Sequence, residues 1–322
     1  MACSGGADSC ALALVLALVD PGPLLVHTRH DLRSRAETDA DADAVTALGT
    51  RLGCETRIVE APCADRPGND EANAREARYD ALAAIARERS IPFIATAHHA
   101  DDQLETVLMR LMRGCGMRGV SGIRPRAALR PGVTVVRPML GVTRDEARSL
   151  CDRAGVSWSH DSTNDDASLL RNRIRAEAAP VLRDIEPGLA RRISADADAI
   201  RAGADALREL VRRHWWDDAA RERGAVRFDR AALRASCPPG AIAELVRLGI
   251  DEFGAGIGHD AVGAHDLDRV VEAFRDNSTE RRAFTLGPIM VVVHAGDVWM
   301  TARTRDGEER FDDTHPTAQP PA

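Results

Sequence analysis

Along the first half of the chain, short apolar runs alternate with longer stretches in which apolar residues return every three or four positions. Residues 24–27, 56–59, 93–97 and 133–136 are apolar or β-branched runs of strand length, and 35–52, 69–89 and 101–112 carry the helical period. In the second helix Ala72, Tyr79, Leu82, Ala83 and Ala86 share one side. Thr143 opens a further helix, with Glu146 three residues on as a capping box. Such alternation predicts an α/β fold, a doubly wound parallel sheet with ligands at the carboxyl ends of its strands.

Beyond Ile185-Glu186-Pro187-Gly188 the pattern changes. A long helix over 189–215 has Ile193, Ile200, Leu207 and Leu210 as its apolar stripe and ends on Trp215-Trp216, which read as buried anchors. A short strand at 226–228, helices at 242–253 and 265–274, and a meander of 284–286, 290–293 and 298–300 follow. The expected organisation is a catalytic domain at 1–185, a smaller helical and α+β domain at 186–305, and an acidic, Pro-rich, disordered tail at 306–322.

Composition narrows the classes. The 322 residues are 44% hydrophobic and 29% charged, ordinary for a soluble globular protein, and no apolar run approaches the roughly 20 residues of a membrane span. A cytoplasmic location is expected. Seven scattered cysteines without a CxxC pair suggest reduced thiols rather than a zinc site or disulfide framework. The chain has no lysine, which excludes Walker, Schiff-base and lysine-adenylate chemistry. A net charge of −7 argues against indiscriminate coating of nucleic acid. Between Arg110 and Arg144, however, lie eight arginines and no Asp or Glu, which favours a nucleic-acid contact over a merely solvated face.

The candidate chemistry starts at Ser4-Gly5-Gly6-Ala7-Asp8-Ser9, which runs straight into an apolar helix. A Gly-rich turn at a helix N-terminus can bring backbone N–H groups to an anion, although a plain capped turn would look similar. Such a loop should hang from a strand, and only Met1-Ala2-Cys3 precede it. The first strand is therefore expected to be largely missing, most simply through a start codon assigned too far downstream.

Further stretches sharpen the loop's meaning. His27-Thr28-Arg29-His30-Asp31-Leu32-Arg33 resembles a VxHGLR segment, and Glu71 to Tyr79 resembles EAxARxxRY. Ala97-His98-His99-Ala100-Asp101-Asp102-Gln103-Leu104-Glu105-Thr106 resembles AHHxDDQxET, followed by an RGxG at Arg113-Gly114-Cys115-Gly116. Asp161-Ser162-Thr163-Asn164 with Arg171-Asn172-Arg173-Ile174-Arg175 resembles DxSN…RNxIR. With the SGGxDS loop, the set resembles the PP-loop ATP pyrophosphatases and, within them, the tRNA(Ile)-lysidine synthetases. Asp31, where that family usually has Gly, is a departure.

The resemblance implies ATP and Mg²⁺ as cofactors, L-lysine and an isoleucine tRNA with a CAU anticodon as partners, and no membrane. A homodimer is one assembly open to such an enzyme. The expected reaction adenylates the carbonyl oxygen on C2 of the wobble cytidine, and the lysine amine then displaces AMP at C2. Ser4, Gly5, Gly6, Ala7, Asp8 and Ser9 would bind ATP together with His30 and Arg171. Asp8 would hold Mg²⁺ or take a proton. Asp101, Asp102 and Glu105 would be catalytic, meeting the cytosine or the cationic amine; by position alone they also suit helix capping. His98, His99, Arg75, Arg110, Arg113, Asn164, Arg173 and Arg175 would meet substrate or tRNA. A PP-loop tRNA thiolase and a non-catalytic tRNA-binding protein are the alternatives.

Overall fold

The computed structural model describes residues 1–19, 22–32, 34–159, 170–222, 224–254 and 262–303. Asp161, Asn164 and the segment expected to be a disordered tail lie outside the described residues. The chain divides into two compact units, Met1–Arg113 with Met117–Ile200, and Gly114–Gly116 with Arg201–Ala322. The division falls inside a helix, Leu189–Val211, rather than at the change of composition near residue 185.

In the first unit the order is α1 (Ala7–Val19), β1 (Leu25–Arg29), α2 (Arg35–Leu52), β2 (Thr56–Glu60), α3 (Asp70–Glu88), β3 (Phe93–Ala95), α4 (Ala100–Met112), α5 (Met117–Val120), β4 (Arg126–Arg130), β5 (Val133–Val136), α6 (Arg144–Ala154), α7 (Leu170–Arg173), α8 (Ala179–Ile185) and α9 (Leu189–Val211). Local chemistry sets several boundaries. Ser34 with Glu37 and Thr143 with Glu146 form capping boxes, and Gly53 and Gly155 end their helices in the left-handed conformation.

The strands form two hydrogen-bonded groups, β1 with β2 and β3 with β5 and β4, parallel except for β4. Residues 1–3 lie between them. Ala2 N donates to Ala95 O and Cys3 N to Val26 O, both at 2.9 Å, and Val26 N donates back to Met1 O. Residues 1–3 therefore occupy the central position and join both groups. His27 reinforces this segment, with Nδ1 3.0 Å from Cys3 O. Burial pushes the His27 pKa down, which favours the neutral ring in that contact.

Helices cover both faces, as a doubly wound sheet requires. Leu25 packs with Leu12, Val45, Leu48 and Cys151 from α1, α2 and α6; its neighbour Val26 packs on the other face with Leu82, Ile85 and Ala86 from α3. The alternation of a single strand therefore feeds two cores. Because β1 and β2 lie to one side of the short strand and β3 and β5 to the other, the loop after Cys3 sits where the strand order reverses.

The second unit continues with β6 (Ala220–Glu222), β7 (Ala225–Asp229), α10 (Arg230–Ser236), α11 (Pro239–Phe253), α12 (Ala264–Arg275), β8 (Arg282–Leu286), β9 (Ile289–His294) and β10 (Asp297–Ala302). Its antiparallel sheet has the order β6-β7-β10-β9-β8. Ile242, Leu245, Phe274, Val291, Val298 and Met300 form the centre of its core. Trp216 is buried there as expected, with its indole N–H on Glu252 at 3.2 Å.

Candidate active site

The glycine loop turns directly from the central strand into α1. Gly5 has φ +87°, and a Cβ there would approach Ser159 Oγ to 3.2 Å, so both backbone and space call for glycine. Ser9 Oγ donates to Gly6 O at 2.9 Å and accepts from Ser4 N at 3.2 Å. Ser159 N ties Gly5 O from outside at 3.0 Å. The loop is thus held in shape by its own hydroxyls, with a helix N-terminus behind it.

A cavity of about 620 Å³ opens here, entirely within the first unit. Ser4, Gly6, Asp8 and Ser9 line it from the loop, His30 from the end of β1, Arg75 and Tyr79 from α3, His98 and Asp102 from the start of α4, and Arg171 and Arg175 from the α7 region. Asp8 Oδ1 is buried with no hydrogen-bond partner among the described residues. No group of three or more metal-ligating side chains occurs among those residues. Asp8 therefore offers a single carboxylate oxygen, which suits Mg²⁺ when phosphates and water complete the shell.

Carboxylates and arginines from distant parts of the chain meet beside the loop. Glu105 is 1% exposed and takes three guanidinium groups, from Arg144 (3.0 Å), Arg171 (2.9 Å) and Arg175 (2.8 Å). Asp102 Oδ1 accepts from Arg171 Nη2 at 2.7 Å. A π-helical turn, Ile174–Ala178, follows α7 and contains Arg175. Burial opposes charge on both acids, but the surrounding cations outweigh it. Asp102 is held down to about 2 by His99 and Arg171, and Glu105 below its usual range by Arg175 and Arg171. Both carboxylates stay ionised at neutral pH and hold the two arginines at the cavity wall.

Other expected site residues have different surroundings. Asp101 accepts from Arg144 N at 2.8 Å, tying α4 to the start of α6, and is not in the cavity wall. Arg110 donates to Gly119 O and Gly122 O at 3.2 and 2.9 Å, so it braces the turn after α5. Arg113 is exposed at the end of α4, and Arg173 is exposed and paired with Glu177. His98 lines the cavity with Nδ1 2.9 Å from Thr96 Oγ1, and burial pulls its pKa down to about 4. His99 is buried, 1% exposed, and caps α4. Burial lowers its pKa, but a hydrogen bond to Asp8 and the charges of Asp102 and Asp8 reverse the direction, so the net shift is upward.

Asp41 and Ser159 were not singled out by the sequence, and Arg78, Tyr79 and Asn172 only as members of motif stretches; all five line the cavity. Tyr79 had a signal: it is the chain's one tyrosine, and Arg75 lies over its ring at 5.1 Å. Asp31 also acquires a role, since its Oδ1 accepts from Cys63 N and Ala64 N at 2.7 and 2.9 Å and closes the loop after β2.

A doubly wound sheet with a Gly-Ser loop and helix N-terminus at its switch point defines an α/β protein of the phosphate-binding class. The family model of the PP-loop domain matches residues 1–182, and the chain belongs to the PP-loop family. It is similar to the tRNA(Ile)-lysidine synthase of Salinispora tropica, 37% identical over 65% of this chain and 64% of that one. It is 40% identical to that of Novosphingobium aromaticivorans over 67% and 65%, and 39% identical to that of Thermus thermophilus over 62% and 38%. The chain spans between 60% and 65% of the length of the first four such relatives. A solved structure, the U34-tRNA thiolase NcsA from Methanococcus maripaludis, shares the fold, with TM-score 0.52 and 18% identity over 62% of this chain and 71% of that one. No described helix is long and apolar enough to cross a membrane.

Proposed function

We propose that this chain is an ATP-dependent tRNA-modifying ligase that forms a carbon–nitrogen bond between L-lysine and C2 of the wobble cytidine of a CAU-anticodon isoleucine tRNA, giving lysidine. The observation that carries this reading is one cavity lined by the glycine loop, Asp8, Asp102, Arg171 and Arg175 in a chain similar to tRNA(Ile)-lysidine synthases.

The chemistry follows from those groups. ATP lies with its phosphates on the loop, and the cytosine carbonyl oxygen attacks the α-phosphorus. Loop amides, Ser4, Ser9 and the guanidinium groups of Arg171 and Arg175 stabilise the charge gathering on the departing pyrophosphate. When bound, Mg²⁺ neutralises phosphate charge, and Asp8 is the residue that would hold it. The amine of lysine, its proton given up to Asp8, then attacks C2, and the C2–O bond breaks to release AMP. Asp8 and Asp102 are the carboxylates positioned to meet a cationic amine, while Glu105 acts through the arginines it holds. Arg113 and Arg173, both exposed, are proposed to meet tRNA phosphates, which makes binding steeply salt-dependent. A cytoplasmic enzyme fits this substrate set.

Incubating the purified chain with ATP, Mg²⁺, radiolabelled lysine and the CAU tRNA should incorporate lysine and release AMP in equal amounts. Asp8→Ala should abolish AMP release and leave tRNA binding within about twofold of wild type. Sulfur incorporation instead of lysine, or no AMP, would overturn the reading.

A further inference from the structure

We propose that His99 is a positioning residue that orients the Asp8 carboxylate of the phosphate loop through its Nε2–H. This rests on the ligase reading for its consequence in turnover, and on geometry alone for the contact itself. The sequence places His99 among substrate contacts, but at 1% exposure it has no surface to offer one.

Its two ring nitrogens have different nearest partners, with Asp102 Oδ2 3.6 Å from Nε2 and Asp101 Oδ2 3.7 Å from Nδ1 as further neighbours. Nδ1 accepts the backbone N–H of Asp102 at 3.3 Å, the capping bond of α4. A nitrogen that accepts an amide hydrogen carries no proton of its own, so the ring's donor is Nε2. That atom lies 3.4 Å from Asp8 Oδ2. The other oxygen of Asp8 is the buried one without a hydrogen-bond partner among the described residues. One oxygen is therefore fixed by His99 and the other left for a ligand.

Capping alone does not explain the residue. Ser, Thr, Asn and Asp cap helices more readily, but none is long enough to cap α4 and also carry a donor as far as Nε2 of histidine. Histidine spans both tasks. The same residue also donates its backbone N–H to Asp102 Oδ2 at 3.0 Å, while Asp102 Oδ1 receives Arg171. A continuous set of polar contacts thus runs from Asp8 through His99 and Asp102 to Arg171. It couples the loop carboxylate to an arginine at the same cavity wall.

Two variants separate the tasks. His99→Asn keeps a capping acceptor but cannot reach Asp8; His99→Gln returns an N–H near the position of Nε2. We expect His99→Asn to melt within a few degrees of wild type and lose on the order of 10- to 100-fold in kcat, with KM for lysine and tRNA affinity unchanged. His99→Gln should recover part of that loss. In nitrogen-15 histidine spectra of the wild-type chain, the His99 proton should be on Nε2, and Asp8→Asn should shift its signals. A proton on Nδ1, signals indifferent to Asp8→Asn, wild-type turnover in His99→Asn, or equal losses in both variants would overturn the proposal. If the wild type forms no lysidine, the ligase reading falls, and the spectra still decide the His99–Asp8 pairing.

Discussion

Two regions of this molecule bury arginine in opposite ways. In the second unit Arg230, 2% exposed, donates to the carbonyls of Ala273, Phe274, Asp276, Ser278 and Ala295 and to the Asp276 carboxylate. Those carbonyls include the C-terminal end of α12, where a cation also meets the negative pole of the helix. In the first unit Arg171 and Arg175 keep 29% and 25% of their side chains exposed. They bond to Asp102 and Glu105 and line the cavity. Arg230 is enclosed by fixed backbone acceptors and holds a fold together. The cavity arginines are held by carboxylates and line a cavity open to an anionic ligand.

The largest expected effect tests the enclosed arginine. Arg230→Met leaves several buried carbonyls without donors and should destabilise the second unit by about 3–5 kcal/mol, read by chemical denaturation. A loss under about 1 kcal/mol would erase the contrast. Arg171→Met should behave the other way, with AMP formation falling on the order of a hundredfold while the melting temperature moves only a few degrees, because Arg144 and Arg175 still neutralise Glu105.

A milder effect comes with acid. Burial lowers the pKa of His98 to about 4 from the usual 6.5 of a histidine. In that window the unfolded chain binds the extra proton, so stability falls as the pH drops from about 6.5 to 4 and levels off below. Melting curves across this range should show the fall, and His98→Gln should flatten it. Smallest of all, Arg173→Ala should leave the melting temperature unchanged, since its pair with Glu177 lies in solvent. A drop in tRNA affinity with unchanged stability would confirm its side chain as free for a partner.

Much of the first unit was legible because its signals are local. Helix periods, the Thr143–Glu146 box and the glycine loop involve residues within a turn of one another, and the elements formed at or near the expected positions. The edge strand β4 was missed, since its Arg-rich sequence lacks a strand's apolar run. Within the site, i to i+3 spacing correctly put Asp102 and Glu105 on one face, and both meet Arg171. It could not distinguish Asp101, drawn away by the amide of Arg144, because that partner is 43 positions along the chain.

By itself, the sequence determined the alternation of elements, the phosphate loop and the set of residue types that surround it. Tertiary structure decided the rest: that residues 1–3 join the two strand groups at the centre of the sheet, that Glu105 is an anchor for arginines, and that the buried ring of His99 lies against Asp8. The reason is physical. Backbone preference and periodicity act over a few residues and are written locally, whereas the partner of a buried charge is whichever group packing brings within about 3 Å, and that is set by the whole fold.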